Sequence, residues 1–231
     1  MRALLLPVKD LRNAKQRLAG ILSSEERFAL AHAMLADTVR AMRGARRADK
    51  IFVVTTYEPA MQAARENGWE ILAEERQISE SVSVDDASSR IESLGFSAVL
   101  RIPLDLPLMQ SHDIDELLAV ECSAPGVVIV PSRDGTGTNA ILRTPPTLFP
   151  SQFGSGSFAK HCAEADAAHA QIHHRRNAHL EMDVDDESDL RALLQHDLTG
   201  THTGAFLNEL GVVQKLLAAR QHQSARTASQ G

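Results

Sequence analysis

The chain has 231 residues, 43% of them hydrophobic, and a formal net charge of -6 at pH 7. This length and apolar content suffice for a substantial core, and we expect one domain over residues 1–220. The negative charge argues against a nucleic-acid polymer as the main partner, because neutralising its phosphates requires a basic surface. The two cysteines are too few for a disulfide framework.

The first apolar run covers only residues 3–6, which is too short for the core of a signal peptide. No apolar run approaches the roughly 20 residues that cross a bilayer. The sequence therefore predicts a cytoplasmic protein without a membrane partner. Residues 221–231 contain no large apolar side chain and are expected to form a disordered tail.

Apolar runs of strand length alternate with segments of helical period, which is typical of βαβ units. The sequence thus predicts an α/β fold with a mostly parallel central sheet and helices on both faces. The predicted strands are 3–6, 51–55, 70–73, 98–102, 126–130, 140–142, a short one near Ile172, and 180–184. The predicted helices begin at Ser23, which has capping-box spacing to Glu26, and cover 59–67, the stretch through Leu94, 113–120, 157–168, 188–194 and 204–220. Residues 7–22 and 74–83 are expected to lack regular structure.

Asp105 follows directly after the predicted strand 98–102 and lies between Pro103 and Pro107. Ligands of open α/β sheets collect at the carboxyl ends of strands, where a rigidly held carboxylate suits a metal ion. The alternative is that Asp105 only shapes this turn or caps the helix that follows.

A second acidic segment ends the predicted strand 180–184, where alternation would place Asp183 and Asp185 on one face. Together with Asp105 they would offer the hard oxygen ligands that Mg²⁺ prefers. For Asp185 the favoured alternative is that it begins the next helix together with Asp186. Asp183 is therefore the better metal candidate.

The loop after the first strand carries Lys9, Arg12, Lys15 and Arg17 and has no glycine before Gly20. Such a loop could bind a triphosphate through side-chain charge. Two Gly- and hydroxyl-rich turns, 134–138 and 153–157, could hold a small phosphate, although each alone is a common kind of loop. The ten histidines fall in no ligand motif and are expected to be solvated or structural.

Five segments, taken together, carry a resemblance to a known family. They are PVKDLRNAKQRL at 7–18, PLDLPL at 103–108, DGTGTNA at 134–140, FGSGSFAKH at 153–161 and MDVDDESDL at 182–190. Their order and spacing resemble the guanylyltransferases of deazaflavin coenzyme F420 biosynthesis, the CofC/FbiD family, over about residues 2–195. The resemblance implies a Rossmann-like nucleotidyltransferase fold of the molybdenum-cofactor guanylyltransferase type.

The resemblance also implies an activity: transfer of GMP from GTP to the phosphate of a three-carbon acid, with release of pyrophosphate. The acids that the family uses are phosphoenolpyruvate, 2-phospho-L-lactate and 3-phospho-D-glycerate. The implied site residues are Thr138, Gly154 and Ser157 for the acid, Asp105 and Asp183 for Mg²⁺, Lys9, Lys15 and Arg17 for the triphosphate, with Lys15, Arg17 and Asp105 as catalytic residues. A homodimer is implied as well.

One segment departs from the family pattern: residues 78–84 stand where the family usually has a Gly-Leu-Asn motif. The resemblance therefore assigns no contacts to the base or the ribose.

Two other functions stay open. The first is a nucleotidyltransferase that acts on a sugar phosphate or a pterin, since the fold supports many acceptors; the lack of a glycine-rich first loop counts against it. The second is a non-catalytic module that binds nucleotide without releasing pyrophosphate.

Overall fold

The computed structural model describes residues 1–74 and 78–218. The strands are β1 (Arg2–Val8), β2 (Lys50–Thr55), β3 (Glu70–Ala73), β4 (Ala98–Arg101), β5 (Gly126–Pro131), β6 (Thr138–Thr144) and β7 (Gln171–His174). The helices are α1 (Ser24–Gly44), α2 (Glu58–Glu66), α3 (Glu80–Ser93), α4 (Ser111–Ala119), α5 (Ser157–Ala167), α6 (Glu187–Leu193) and α7 (His202–Glu209). In this part of the chain no helix is both long and apolar enough to cross a membrane.

The seven strands form one sheet in the order β3-β2-β1-β4-β6-β5-β7. Neighbouring strands are parallel except at β6, which is antiparallel to both β4 and β5. Strand β6 therefore begins at the edge of the sheet where the other strands end. The predicted α/β fold with a mostly parallel sheet is confirmed.

Helices cover both faces of the sheet. Because successive side chains of a strand point to opposite sides, each strand contributes to a core on either face. In β1, Leu4 and Leu6 pack in a core cluster with residues of α1, α2 and α4, whereas Ala3 and Leu5 pack in a cluster with residues of α3. A further cluster joins β5 to α5. This layering explains the near-continuous apolar runs by which the strands are recognised in the sequence.

Helix α1 separates two cores. It begins at Ser23, where the predicted capping box to Glu26 is confirmed. Ala31 contributes to the core under the sheet, whereas Leu30 contributes to a second cluster formed with α6, α7 and Val184. This second core lies under the acidic segment 180–186 and holds it against α1.

The predicted strand 180–184 is wrong, because this segment lies outside the sheet. Its apolar side chains are buried, but Leu180 packs in the core under the sheet and Met182 in the second core. The side-chain oxygen of Asn177 accepts the backbone N–H groups of His179 and Leu180 and holds a turn there. The alternation thus reflects packing into two cores and not a strand.

Two helix predictions also need correction. Helix α3 begins at Glu80, inside the stretch expected to lack regular structure, because the Ser79 hydroxyl caps it. The predicted helix 204–220 is broken at Gly211, which adopts a positive φ of 63° between α7 and helical residues 212–218. Within the expected loop 7–22, Leu11–Asn13 and Gln16–Leu18 form single 3₁₀ turns. The predicted tail, 221–231, and residues 219–220 of the predicted helix 204–220 lie outside the described residues.

Asp37 of α1 anchors α7. Its carboxylate is buried and accepts the backbone N–H groups of His202 and Thr203, both at 2.8 Å. We expect Asp37→Ala to lower the free energy of unfolding by about 2 kcal/mol, since two backbone donors, that of Thr203 fully buried, lose a charged acceptor. Urea unfolding measures this, and hydrogen exchange should quicken first at residues 202–209. Asp37→Asn, which keeps one acceptor oxygen, is the matched control and should lose less; a change below about 0.5 kcal/mol in both would contradict the anchor.

Candidate active site

The site lies at the carboxyl edge of the sheet, between β1 and β4. The chain runs from β1 to β2 and β3 on one side and returns to β4 on the other, and such switch points open a crevice between the loops that follow the strands. The loop 7–22 follows β1 and the turn that contains Asp105 follows β4. The hydroxyl of Thr38 in α1 donates to the carbonyl oxygen of Leu104 at 3.0 Å, which fixes this turn.

A buried lysine joins two of the acidic residues. The ammonium of Lys15 lies 2.8 Å from Asp105 Oδ2 and 3.0 Å from Asp185 Oδ1, with only 7% of its side chain exposed. Lys15 also adopts φ 53° and ψ 41°, the left-handed region that residues with a Cβ seldom occupy. The two ion pairs compensate this strain and bring the loop after β1, the turn after β4 and the segment before α6 to one point.

The ionisation of this group follows from its contacts. Burial alone would lower the pKa of Lys15, but the negative charges of Asp105 and Asp185 outweigh it and raise that pKa above its ordinary value. Burial would raise the pKa of Asp105, but the charge and hydrogen bond of Lys15 lower it below its ordinary value. Both groups are therefore charged at neutral pH.

Asp183 stands in a different environment. Its Oδ1 accepts a hydrogen bond from Asn139 Nδ2 at 3.1 Å. Burial, followed by the negative charge of Asp105, raises the pKa of Asp183 to about 6. A carboxylate that is disfavoured by a neighbouring carboxylate is the arrangement that a bound divalent cation relieves. The pair Asp105 and Asp183 thus fits the oxygen ligand set of Mg²⁺.

Most of the predicted site residues line a single cleft of about 640 Å³, namely Arg17, Asp105, Thr138, Gly154, Ser157 and Asp183. Lys9 lines a neighbouring cleft of about 240 Å³ between the loop after β1 and α3. Asp105 lines both clefts, together with Glu80, Arg101 and Pro103. Lys15 was expected to contact a triphosphate. In the structure its ammonium is instead bonded to the carboxylates of Asp105 and Asp185.

Hydroxyl groups at the start of β6 and α5 form the opposite wall of the larger cleft. The backbone N–H of Thr138 donates to Ser157 Oγ at 2.9 Å, and Thr138 Oγ1 lies 3.0 Å from His161 Nδ1. Gly154, in the turn before α5, has φ 111°, a conformation that a residue with a Cβ rarely adopts. The first turn of α5 therefore faces the cleft with backbone and hydroxyl donors.

Arg101 forms the wall between the two clefts. Its guanidinium pairs with Glu80, lies 4.1 Å from the ring centroid of Phe153, and donates to the carbonyl oxygen of Thr138 at 3.3 Å. Only 6% of its side chain is exposed. Because Glu80 lines the same two clefts and balances its charge, Arg101 acts there as a buried, fixed part of the wall.

Sequence reasoning ranked Asp185 below Asp183 and did not assign Arg101 or His161 to the site. Asp185 was favoured as the start of α6, but Asp186 is the cap of that helix and Asp185 binds Lys15. Arg101 ends the buried strand β4, and a charged residue at the carboxyl end of a buried strand could have indicated a site residue. His161 was expected to be solvated or structural; it is buried and contacts Thr138, and its spacing of four residues from Ser157 places both on one face of α5.

A separate group of possible metal ligands lies away from the cleft: His112, Asp113 and His179. The buried carboxylate of Asp113 already accepts the backbone N–H of Gln110 and the side-chain amide of Asn177, both at 2.8 Å. These bonds cap α4 and fix the turn at Asn177, so the group has a structural role without any ion.

The chain is similar to known proteins over nearly its whole length. The model of the family described as "Guanylyl transferase CofC like" matches residues 1–226. This chain belongs to that family. A CofC-like relative from Roseiflexus sp. (strain RS-1), named phosphoenolpyruvate guanylyltransferase, is 36% identical over 83% of this chain and 84% of its own. Another from Methanothermobacter thermautotrophicus, named 2-phospho-L-lactate guanylyltransferase, is 32% identical over 89% of each chain.

Solved structures support the fold of this CofC-like chain. A protein of Desulfovibrio desulfuricans G20, whose name places it among nucleotide-diphospho-sugar transferases, aligns with a TM-score of 0.73 at 16% identity over 93% of this chain and 97% of its own. A nucleotidyl transferase from Methanothermobacter aligns with a TM-score of 0.57 at 12% identity over 85% and 97%. These structures show the α/β fold. Membership of the family and the names of its relatives make the CofC-like chain an enzyme of the nucleotidyltransferase class.

The buried His161 gives the fold of this CofC-like enzyme a pH dependence. Burial, followed by the charges of Arg143 and Arg101, lowers the pKa of His161 to about 4. Between pH 6.5 and 4 the unfolded chain binds a proton there that the folded chain does not, so stability falls as the pH falls. From pH 7 to 4.5 we expect the wild type to lose about 2 kcal/mol more than His161→Gln, whose side chain does not titrate. Urea unfolding at both pH values measures this, and equal losses would contradict the buried, neutral ring.

Proposed function

We propose that this enzyme condenses GTP with a phosphorylated three-carbon acid to give a guanosine diphospho-acid and pyrophosphate, in the biosynthesis of a deazaflavin coenzyme. The acids considered are phosphoenolpyruvate, 2-phospho-L-lactate and 3-phospho-D-glycerate. The observation that carries the proposal is that one cleft combines the carboxylates of Asp105 and Asp183 with the hydroxyls of Thr138 and Ser157. The names of the two relatives support phosphoenolpyruvate and 2-phospho-L-lactate among these acids.

The two clefts support a reaction between two ligands. The larger cleft, with Thr138, Gly154 and Ser157 in its wall, has the donors for the phosphate of the acid. The smaller cleft opens beside the loop after β1 and takes the nucleotide, with Lys9 at its edge. Because Asp105 lines both, the acid's phosphate and the α-phosphate of GTP meet next to it.

In the proposed reaction an oxygen of the acid's phosphate attacks the α-phosphorus of GTP. The new P–O bond forms as the bond to the oxygen bridging to the β-phosphate breaks, and pyrophosphate leaves with that electron pair. A phosphate monoester is already ionised near neutral pH, so no strong general base is required. The chain's residues therefore act mainly by positioning the two phosphates and by balancing their charge.

The charge balance has two sources. Asp105 and Asp183 would hold Mg²⁺, which supplies positive charge where negative charge develops at the phosphates. Arg17, which lines the larger cleft, and Lys9, which lines the smaller one, add cations from the loop after β1. Lys15 acts indirectly, since its bonds orient the carboxylates of Asp105 and Asp185.

The test is pyrophosphate release from GTP and Mg²⁺ with each of the three acids in turn. We expect release with at least one acid, and we expect Asp105→Asn and Asp183→Asn each to lower kcat by about 100-fold or more, since each neutralises a proposed metal ligand. Asp166→Asn changes an exposed carboxylate on α5 and is the matched control, with wild-type turnover expected. Circular dichroism and thermal unfolding establish that the variants are folded.

Three outcomes would change the assignment. Turnover at the wild-type level in either folded variant would reject the metal ligands. GTP binding without pyrophosphate release on any of the three acids would reject the proposed acceptors. Release with a sugar phosphate or a pterin alone would place the enzyme with another acceptor class.

A further inference from the structure

The hydrogen bonds of His161 fix where its ring proton lies. Its Nε2 is 2.9 Å from the backbone nitrogen of Gln152. A backbone N–H only donates, so Nε2 accepts this bond and carries no proton. The neutral ring then has its proton on Nδ1, which lies 3.0 Å from Thr138 Oγ1. His161 therefore donates to Thr138.

The surroundings of His161 keep this single tautomer. The ring is 1% exposed and contacts the rings of Phe153 and Phe149. Burial, followed by the charges of Arg143 and Arg101, lowers its pKa to about 4. At neutral pH the ring is thus neutral, and the bond to Gln152 selects the tautomer protonated at Nδ1.

The bond from His161 determines how the hydroxyl of Thr138 can interact with a ligand. Its oxygen accepts from His161, and its proton donates to no other described protein atom. Ser157 has the same polarity, because its oxygen accepts the backbone N–H of Thr138 at 2.9 Å. Both residues line the larger cleft. Each of these two hydroxyls thus has one of its two lone pairs occupied, and its proton points away from that bond and can donate to the same ligand.

We propose that His161 is a positioning residue that fixes Thr138 as a hydrogen-bond donor, so that Thr138 and Ser157 together select a ligand group that only accepts. A fully ionised phosphate monoester is such a group, since it has no proton to donate. The inference rests on the proposed function for the identity of that ligand, the phosphorylated acid. It adds His161, which does not contact the ligand but orients the hydroxyl of Thr138, and Thr138 makes the hydrogen bond to the ligand.

Two substitutions separate this role from a purely structural one. The side-chain amide of Asn reaches the place of Nδ1 and can donate to Thr138, whereas the side chain of Gln reaches the place of Nε2 and can accept from Gln152. We expect His161→Gln to raise the KM for the acid by about tenfold, because a hydrogen bond to a charged group loses its orientation. His161→Asn should recover most of that loss. The KM for GTP should change in neither variant.

A double-variant comparison tests whether His161 acts through Thr138. Thr138→Val removes the hydroxyl and should raise the KM for the acid at least as much as His161→Gln. In the variant that carries both substitutions the KM should equal that of Thr138→Val alone, since no hydroxyl is left to orient. Additive increases, or equal increases in KM for acid and GTP in both His161 variants, would overturn the positioning role.

A spectroscopic measurement on the wild type does not depend on turnover or on the stability of a variant. The ¹⁵N shifts and ring couplings of His161 at pH 7 report which nitrogen carries the proton. The result expected is the Nδ1–H tautomer, and an Nε2–H tautomer or a charged ring would overturn the inference. If the tautomer is as expected but no acid gives pyrophosphate, the proposed function fails while the donor geometry stands. Calorimetric binding of sulfate, which carries no proton at pH 7 and can only accept, should then be weakened in Thr138→Val; equal binding by the wild type and this variant would overturn the acceptor selection.

Discussion

The ammonium of Lys15, buried between the carboxylates of Asp105 and Asp185, is the interaction on which the site depends. A buried charge is tolerated only with partners, and here the partners come from segments about 90 and 170 positions away in the chain. The interaction therefore links the loop after β1, the turn after β4 and the segment before α6. It also leaves Asp183 as a further carboxylate beside Asp105, with its pKa raised to about 6 by burial and by that neighbouring charge.

The antiparallel strand β6 gives the site its second half. Because β6 begins where the parallel strands end, Thr138 and Asn139 lie at the same edge of the sheet as Asp105. Asn139 donates to Asp183, and the next residue back, Thr138, belongs to the hydroxyl wall with Ser157. One strand end thus connects the carboxylates with the anion donors. A reaction between two phosphates requires carboxylates and hydrogen-bond donors close together, and these side chains must be held in place before the ligands bind.

Much of the fold follows from local patterns. Buried parallel strands give apolar runs that are easy to locate, and the capping box at Ser23 marks the start of α1. The prediction of a strand at 180–184 was wrong because its alternating apolar residues pack outside the sheet, Leu180 in the core under the sheet and Met182 and Val184 in the second core. The sheet order and the direction of β6 are set by long-range pairing, which no local pattern encodes.

The site shows the same division. Motifs mark Asp105, Thr138, Gly154, Ser157 and Asp183, so the sequence could predict that they lie together, and the structure gathers them in one cleft. The pairing of Lys15 could not, since a basic loop reads as a phosphate contact until the positions of the carboxylates are known. The contact of His161 with Thr138 likewise depends on how α5 packs against β6.

The central claim is that the carboxylates of Asp105 and Asp183 hold the divalent cation, and anomalous diffraction tests it most directly. Crystals grown with Mn²⁺ in place of Mg²⁺, together with GTP and the acid that the enzyme uses, would locate the ion. The account predicts an anomalous peak bonded to oxygens of both Asp105 and Asp183. A peak that touches neither carboxylate, for example one confined to His112, Asp113 and His179, would contradict it.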